Sequence, residues 1–323
     1  MVMIHTISNY LAKSWCCINC LYAINTDMPP MKDQSFDLLS YLNSYLRCDS
    51  PVLDTQKLEA LLSILEKEVH SMHDFLDALV NTEVWKAWQI QPNPYQSKIL
   101  AIGLEIDRIA SDRIAPAYHS KKHMMDVCLM LTYILMQEEG AKYGESSKSP
   151  WVTSSTEKWQ LLLAAAAHDL GHPGLINSTP YEIEQQSLNM LESLLTKDAT
   201  EPKLKKEILD CIKPWILATD HAQYGALLER LSHSEPKHVD CLAMLLVEAD
   251  LASSVLPIRG KLLTDRLSDE WARPYPEKSI ALRNQVGYLS FLASLQFVSP
   301  HSAHAGIATI LTNSLTQLRT QLS

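Results

Sequence analysis

The chain has 323 residues, enough for one large domain or two modest ones. Its 28 Lys and Arg against 37 Asp and Glu give a formal net charge of −9, which excludes a basic nucleic-acid footprint. With 46% hydrophobic residues, 20% charged and only 9 glycines among abundant Leu and Ala, the composition is that of an all-α globular protein.

Residues 1–35 end in Met28-Pro29-Pro30 and read as an N-terminal arm. The arm holds Cys16-Cys17-x-x-Cys20, which has no second half of a zinc site and, beside Trp15, Leu21 and Tyr22, suits acylation and peripheral membrane attachment. The seven cysteines are odd in number and irregular in spacing, so a disulfide framework is not expected and a reducing, cytoplasmic setting is. No run of eighteen apolar residues occurs, so no transmembrane segment is predicted.

Amphipathic patterns predict helices at 36–47, at 55–88 as two helices, and at 96–113. Asp54 caps the second stretch, and Asn93-Pro94 breaks before the third. Residues 36–95 read as a helical subdomain packed beneath the remainder, 96–323. A helix starting near Pro116 is expected to run through Tyr118, His119, His123 and Asp126, followed by a surface loop at 140–156. Leu161–Ala167 is a strong, all-apolar helix that must stop at the turn of Gly171, Pro173 and Gly174. Further helices are predicted at 182–197, 202–219 with a bend at Pro214, 222–232, 236–252, 258–271, 277–297 and 303–321. No stretch alternates as a strand would.

At about 100° per residue, His119, His123 and Asp126 share one helix face within an arc of about 60°. His168 and Asp169 stand at the mouth of the apolar helix, where a charged Asp costs several kcal/mol unless it is paired or bound to metal. Asp250 closes another apolar run, Leu245 to Leu251. Each has a bland reading alone: a core imidazole, an incidental His-Asp pair, a buried cap. Together they supply two His and two Asp as nitrogen and oxygen ligands, with Asp169 able to bridge two ions about 3.5–4 Å apart. Such a pair of cations generates hydroxide at neutral pH and grips phosphoryl oxygens, which points to phosphoester hydrolysis.

Tyr118-His119-x-x-x-His123-x-x-Asp126-Val127, His168-Asp169-Leu170-x-His172-Pro173-Gly174, Leu217-Ala218-Thr219-Asp220, Ala249-Asp250-Leu251 and Gln285-Val286-Gly287-Tyr288 follow one another in that order. Over roughly residues 96–300 the chain resembles the catalytic domain of the class I 3′,5′-cyclic nucleotide phosphodiesterases, HD-type metal phosphohydrolases. The resemblance implies a multi-helix all-α domain with a binuclear metal site. His123, His168, Asp169 and Asp250 would hold zinc, and Asp169 would also reach magnesium or manganese. His119 would be the general acid for the departing O3′, with His172 near the metal-bridging hydroxide and Glu184 orienting His119 or metal-bound water. Tyr118, Gln285, Tyr288 and Leu267 would contact substrate. Among them, Gln285 would bond the purine edge, Tyr288 would stack on the base, and Leu267 would form the other jaw.

The implied activity is hydrolysis of cyclic AMP, cyclic GMP or both to 5′-monophosphates, a step of signal transduction. The expected partners are that substrate and, in a homodimer, a second copy of the chain. The chain departs from the family pattern at Ser120, Gly171, Gln186-Ser187, Val247-Glu248 and Ser253, and in a short connection from Gly174 to Ile183. Two other readings stay open. One is an HD-type phosphohydrolase acting on a non-cyclic nucleotide, against which His119 and Gln285 speak. The other is a catalytically silent nucleotide-binding protein, which the departures favour and the intact ligand set opposes.

Overall fold

A computed structural model describes residues 36–47, 52–112, 114–138, 149–232 and 235–322. The arm at 1–35, with Cys16, Cys17 and Cys20, lies outside these residues, as does most of the expected loop at 140–156. The chain divides into Met1–Asp37 and Leu38–Ser323, and all helices named below belong to the second unit.

Among the described residues the secondary structure is helical throughout, with no strand. In chain order α1 is Leu38–Leu46, α2 Thr55–Glu68, α3 Met72–Val80, α4 Glu83–Ala87, α5 Gln96–Asp112, α6 Lys121–Met136, α7 Ser155–Ala167 and α8 Glu182–Lys197. Then come α9 Pro202–Leu217, α10 Tyr224–Leu231, α11 His238–Ala252, α12 Arg259–Trp271, α13 Pro276–Arg283, α14 Gln285–Ser294, α15 Pro300–His304 and α16 Ile307–Leu322. Short 3-10 turns, His221–Gln223 and Ser253–Val255, lead into α10 and follow α11.

Three of these helices form the centre. In α7 every residue from Leu161 to Ala167 is fully buried, as a helix that is apolar all round must be. Helix α6 is buried from His123 to Leu135, and α11 from Cys241 to Ala249. They pack on one another, with α9 against both α7 and α11. One continuous cluster of buried side chains joins them to Leu42, Leu61, Phe75 and Trp85 from the helices before residue 96. Helix α7 starts on a capping box: Glu157 N–H donates to Ser154 Oγ at 3.2 Å, and Ser154 N–H donates to Glu157 Oε2 at 2.7 Å.

Several element boundaries differ from the sequence expectation, each for a local reason. The stretch 55–88 forms three helices rather than two, because Ser71 and Thr82 act as N-caps inside it. The expected 277–297 helix breaks at Asn284, whose side chain caps α14 through Gly287 N–H. The 303–321 helix breaks at Gly306, held at φ 76°. Pro214 lies inside α9, as expected. The helix placed near Pro116 begins only at Lys121, after an extended Ser120, so His119 precedes α6 rather than sharing its face with His123.

Candidate active site

The mouths of α6, α7 and α11 meet. His123 sits in the first turn of α6, His168 and Asp169 follow the last residue of α7, and Asp250 lies near the end of α11. His123 Nε2 is 3.0 Å from Asp250 Oδ1 and 3.5 Å from Asp169 Oδ2. His168 Nε2 is 3.3 Å from Asp169 Oδ2 and 3.7 Å from Asp250 Oδ1. An ion about 2.1 Å from each of two ligands subtending about 90–120° holds those ligands about 3.0–3.6 Å apart.

The tautomer of His168 adds a second test. Its Nδ1–H donates to the Ala165 carbonyl at 2.8 Å, and its Nε2, buried and without a hydrogen-bond partner among the described residues, faces two carboxylates. A buried imidazole nitrogen left unpartnered beside two carboxylates is completed by a cation placed between them. His123, His168 and Asp169 therefore converge closely enough to hold a divalent metal, with Asp250 beside both imidazoles. Burial alone would raise the carboxyl of Asp169, but the imidazoles of His168 and His119 hold it well below the usual carboxylate range.

The turn after α7 depends on two glycines in the left-handed region, Gly171 at φ 77° and Gly174 at φ 75°. A Cβ on Gly174 would lie 3.1 Å from Glu270 Cγ and 3.3 Å from Pro116 Cβ, so this glycine admits Glu270 to the site. Glu270, on α12, is the functional residue that sequence reasoning missed. Its Oε1 accepts from His119 Nδ1 at 2.5 Å, and its Oε2 accepts from the backbone N–H groups of Tyr118 and His119 at 2.8 and 3.1 Å. These bonds hold Tyr118 and His119 outside α6, which explains the late helix start. The available signal was Glu270 at i+3 from Leu267, on the same face of an amphipathic helix.

The electrostatics divide the two histidines at this point. Burial works against charge on His119, but Asp169 and Glu270 outweigh it and raise its pKa. His172 stacks on His119 with ring centroids 3.6 Å apart and an interplanar angle of 20°. Its Nδ1 accepts from Gly174 N–H at 3.0 Å, and burial together with the His119 charge pushes its pKa down to about 3. Charge is therefore favoured on His119 and disfavoured on the His172 ring that lies against it. Tyr118 packs against both His119 and His123, at ring centroid distances of 4.7 and 4.5 Å.

A cavity of about 380 Å³ opens on this group, a size within the range of small-molecule sites. Tyr118, His119, His123, Asp169, His172, Glu184, Asp250 and Leu267 all line it. Burial raises the carboxyl of Glu184, which accepts from the Asn177 amide at 2.8 Å. Glu184 bonds neither His119 nor Glu270; the contact expected of it with His119 is made by Glu270 instead. Asp126 also turns away from the site, taking a bidentate fork from Arg259 at 2.8 and 3.0 Å.

Gln285 and Tyr288 require correction: neither lines the cavity. The Gln285 amide is exposed and donates to Gln321 Oε1 on α16 at 3.1 Å. Tyr288 is buried, and its hydroxyl donates to the Ser254 carbonyl at 3.3 Å. A buried phenol must find an acceptor, and the one available lies beneath α12 rather than in the cavity.

Residues 118–279 match the 3′,5′-cyclic nucleotide phosphodiesterase family. Among solved structures, the chain is similar to the phosphodiesterase domain of the RhoPDE fusion protein from the choanoflagellate Salpingoeca rosetta. The identity is 16% and the TM-score 0.55, over 78% of this chain and 92% of that one. It is also similar to LmjPDEB1 in complex with IBMX, at 16% identity and a TM-score of 0.61, over 87% of this chain and 97% of that one. No curated protein matches the chain.

Proposed function

Because the chain belongs to the 3′,5′-cyclic nucleotide phosphodiesterase family, we propose that it hydrolyses cyclic AMP, cyclic GMP or both to the 5′-monophosphate. The observation that carries this is one cavity in which a cation-fitting His-His-Asp-Asp group adjoins a Glu270-supported His119. His123, His168, Asp169 and Asp250 would hold one divalent ion, zinc, with Asp169 shared to a second, magnesium or manganese. Cations there supply a nucleophilic water of lowered pKa and neutralise charge on the phosphoryl oxygens.

The chain's own residues supply the rest. His119, whose protonated form Asp169 and Glu270 favour, donates its proton to the departing O3′. Glu270 fixes the ring through Nδ1, so that Nε2 carries the proton that is transferred. His172 stays neutral and forms a flat wall against which the His119 ring lies. Glu184, with a raised pKa, is placed to orient water at the site. Tyr118 and Leu267 shape the substrate wall.

The free thiols Cys128, Cys211 and Cys241 suit a reducing cytoplasm. Among the described residues, no single helix is long and apolar enough to cross a membrane.

The test is turnover of cyclic AMP and cyclic GMP side by side, with added magnesium and manganese and a chelator control. Chelator-sensitive formation of 5′-AMP or 5′-GMP is expected. No product from either, with metal confirmed bound, would overturn the assignment in favour of another phosphoester substrate.

A further inference from the structure

We infer that Glu66, in the last turn of α2, is a positioning residue for the acid: it fixes the rotation of α12 and so seats Glu270 on His119. The role presupposes the cyclic nucleotide activity proposed above.

Apolar packing leaves the rotation of α12 open. Its buried residues are Arg259, Gly260, Leu263, Thr264 and Ser268, and Leu263 is the one large apolar side chain among them. Polar bonds therefore decide how the helix is turned. At its start, Glu59 Oε1 accepts from Ile258 N–H at 2.6 Å and from Arg259 N–H at 3.0 Å, meeting two donors that the first turn leaves unpaired. Further along α2, Glu66 takes Arg259 on one carboxylate oxygen and Arg266 on the other. Asp126 holds the remaining edge of Arg259 through its fork, so this buried guanidinium is met on every nitrogen.

Arg259 and Arg266 are seven residues apart, which places them within about 20° of one another around α12 and about 10 Å apart along it. One carboxylate gripping both points fixes the rotation of the helix. Glu270 follows Arg266 by four residues, so it leaves α12 on the same side, about 40° round and one turn further on. The chain of His119 rests on the same end of α2. Lys122, three residues after His119 and next to His123, donates through Nζ to the carbonyls of Leu65 at 3.3 Å, Glu66 at 2.7 Å and Val69. Helix α2 thus holds His119 through Lys122 and Glu270 through Glu66. An atom about 6 Å from a helix axis moves about 1 Å when the helix turns by about 10°. A misplacement of that size can cost about 100-fold in rate.

The experiment is steady-state kinetics of the metal-loaded enzyme on cyclic AMP and cyclic GMP. The variants are Glu66→Gln, Arg266→Gln, Glu270→Gln, and each of the first two combined with Glu270→Gln. Glu66→Gln should lower kcat about tenfold, with KM and metal content at wild-type levels. Arg266→Gln, which removes one of the two arms, should lower kcat about threefold. In the Glu270→Gln background neither change should lower kcat further, because the contact they serve is already gone. A residue that only supports the fold would cost the same in both backgrounds, so equal losses would overturn the inference. Wild-type kcat in both single variants, or a loss of kcat that tracks metal content, would overturn it too. Asp126 still neutralises Arg259 in Glu66→Gln. Should that variant nevertheless fail to fold, the cycle with the partly exposed Arg266 decides alone. If the wild type turned over neither cyclic nucleotide, the activity assignment would fall, and the proton NMR signal of His119 Nδ1–H would decide the positioning. A signal lost in Glu270→Gln and displaced in Glu66→Gln supports the role of Glu66, and one unmoved by Glu66→Gln removes it.

Discussion

Helix α11 carries two carboxylates two residues apart, and their surroundings differ in kind. Glu248 is 1% exposed and accepts from Val298 N–H at 2.6 Å, Ser299 N–H at 2.8 Å, Ser302 Oγ at 2.6 Å and Ser299 Oγ. Every oxygen of Glu248 is met by donors, and the carboxylate pins the start of α15 to the core. Asp250 is met, among the described residues, only by the ring nitrogens of His123 and His168. For His168 that nitrogen is buried and has no hydrogen-bond partner among the described residues. A buried carboxylate saturated by donors is structural, whereas one flanked by an unpartnered imidazole nitrogen fits a cation.

The largest effects test that contrast directly. Asp250→Asn should abolish tight metal binding and lower turnover by at least about 10³-fold, since the ions contribute several kcal/mol. Metal analysis of the purified variant checks it, and full metal content would break the comparison. His119→Ala should lower turnover about 10²- to 10⁴-fold while metal content stays at the wild-type level. Loss of metal together with activity would instead make His119 a ligand.

Glu270→Gln is expected to act more gently, at about 10- to 100-fold, as removal of a positioning partner does. It also carries a pH signature. Glu270 raises the pKa of His119 against the effect of burial, so its removal lowers that pKa. The protonated acid is then lost at lower pH, and the alkaline limb of kcat/KM should move downward. An unmoved limb would show that Glu270 does not tune the acid.

Glu248→Gln replaces one acceptor with a donor among donors, which should cost about 1–3 kcal/mol of stability. A Tm lower by several degrees with unchanged metal content would sharpen the comparison, and metal loss would blur it.

The smallest effect belongs to His238, whose ring bonds the Pro150 carbonyl and Glu157 Oε1, both at 2.6 Å, tying the start of α11 to α7. Burial opposes its charge, but the Pro150 carbonyl and Glu157 raise its pKa on balance. A raised folded pKa gives stability that is present below the unfolded value and lost as pH rises through the folded one. His238 is partly exposed, so screening keeps the effect small. The Tm difference between wild type and His238→Gln should therefore be larger at pH 6 than at pH 9, and equal differences would remove the ion pair from the account.

The metal-facing half of the site was legible because its residues are anchored by local patterns. His168 and Asp169 follow an unbroken apolar helix, and Asp250 ends another, so their depth in the core follows from periodicity alone. His119 was found but misplaced, because a helix pattern does not show that Glu270, 151 residues away, will hold its backbone outside the helix. Glu184, expected to orient His119 or metal-bound water, lines the cavity, and its partner is Asn177 from the short preceding connection. Gln285 and Tyr288 failed for a reason of the same kind. Their spacing is intact, but the facing of a helix depends on what its neighbours accept, here a tyrosine hydroxyl at Gly260.

The sequence by itself therefore determined the all-α class and most of the helices, and singled out His123, His168, Asp169 and Asp250 as deeply placed polar residues, because burial and periodicity are properties of a single segment. Only the tertiary structure decided that Glu270 partners His119, that Glu248 is saturated while Asp250 is not, and that α14 turns Phe291 rather than Gln285 toward the cavity. Each of these depends on a contact between segments distant in sequence, and no local pattern encodes the rotation or partner that such a contact selects.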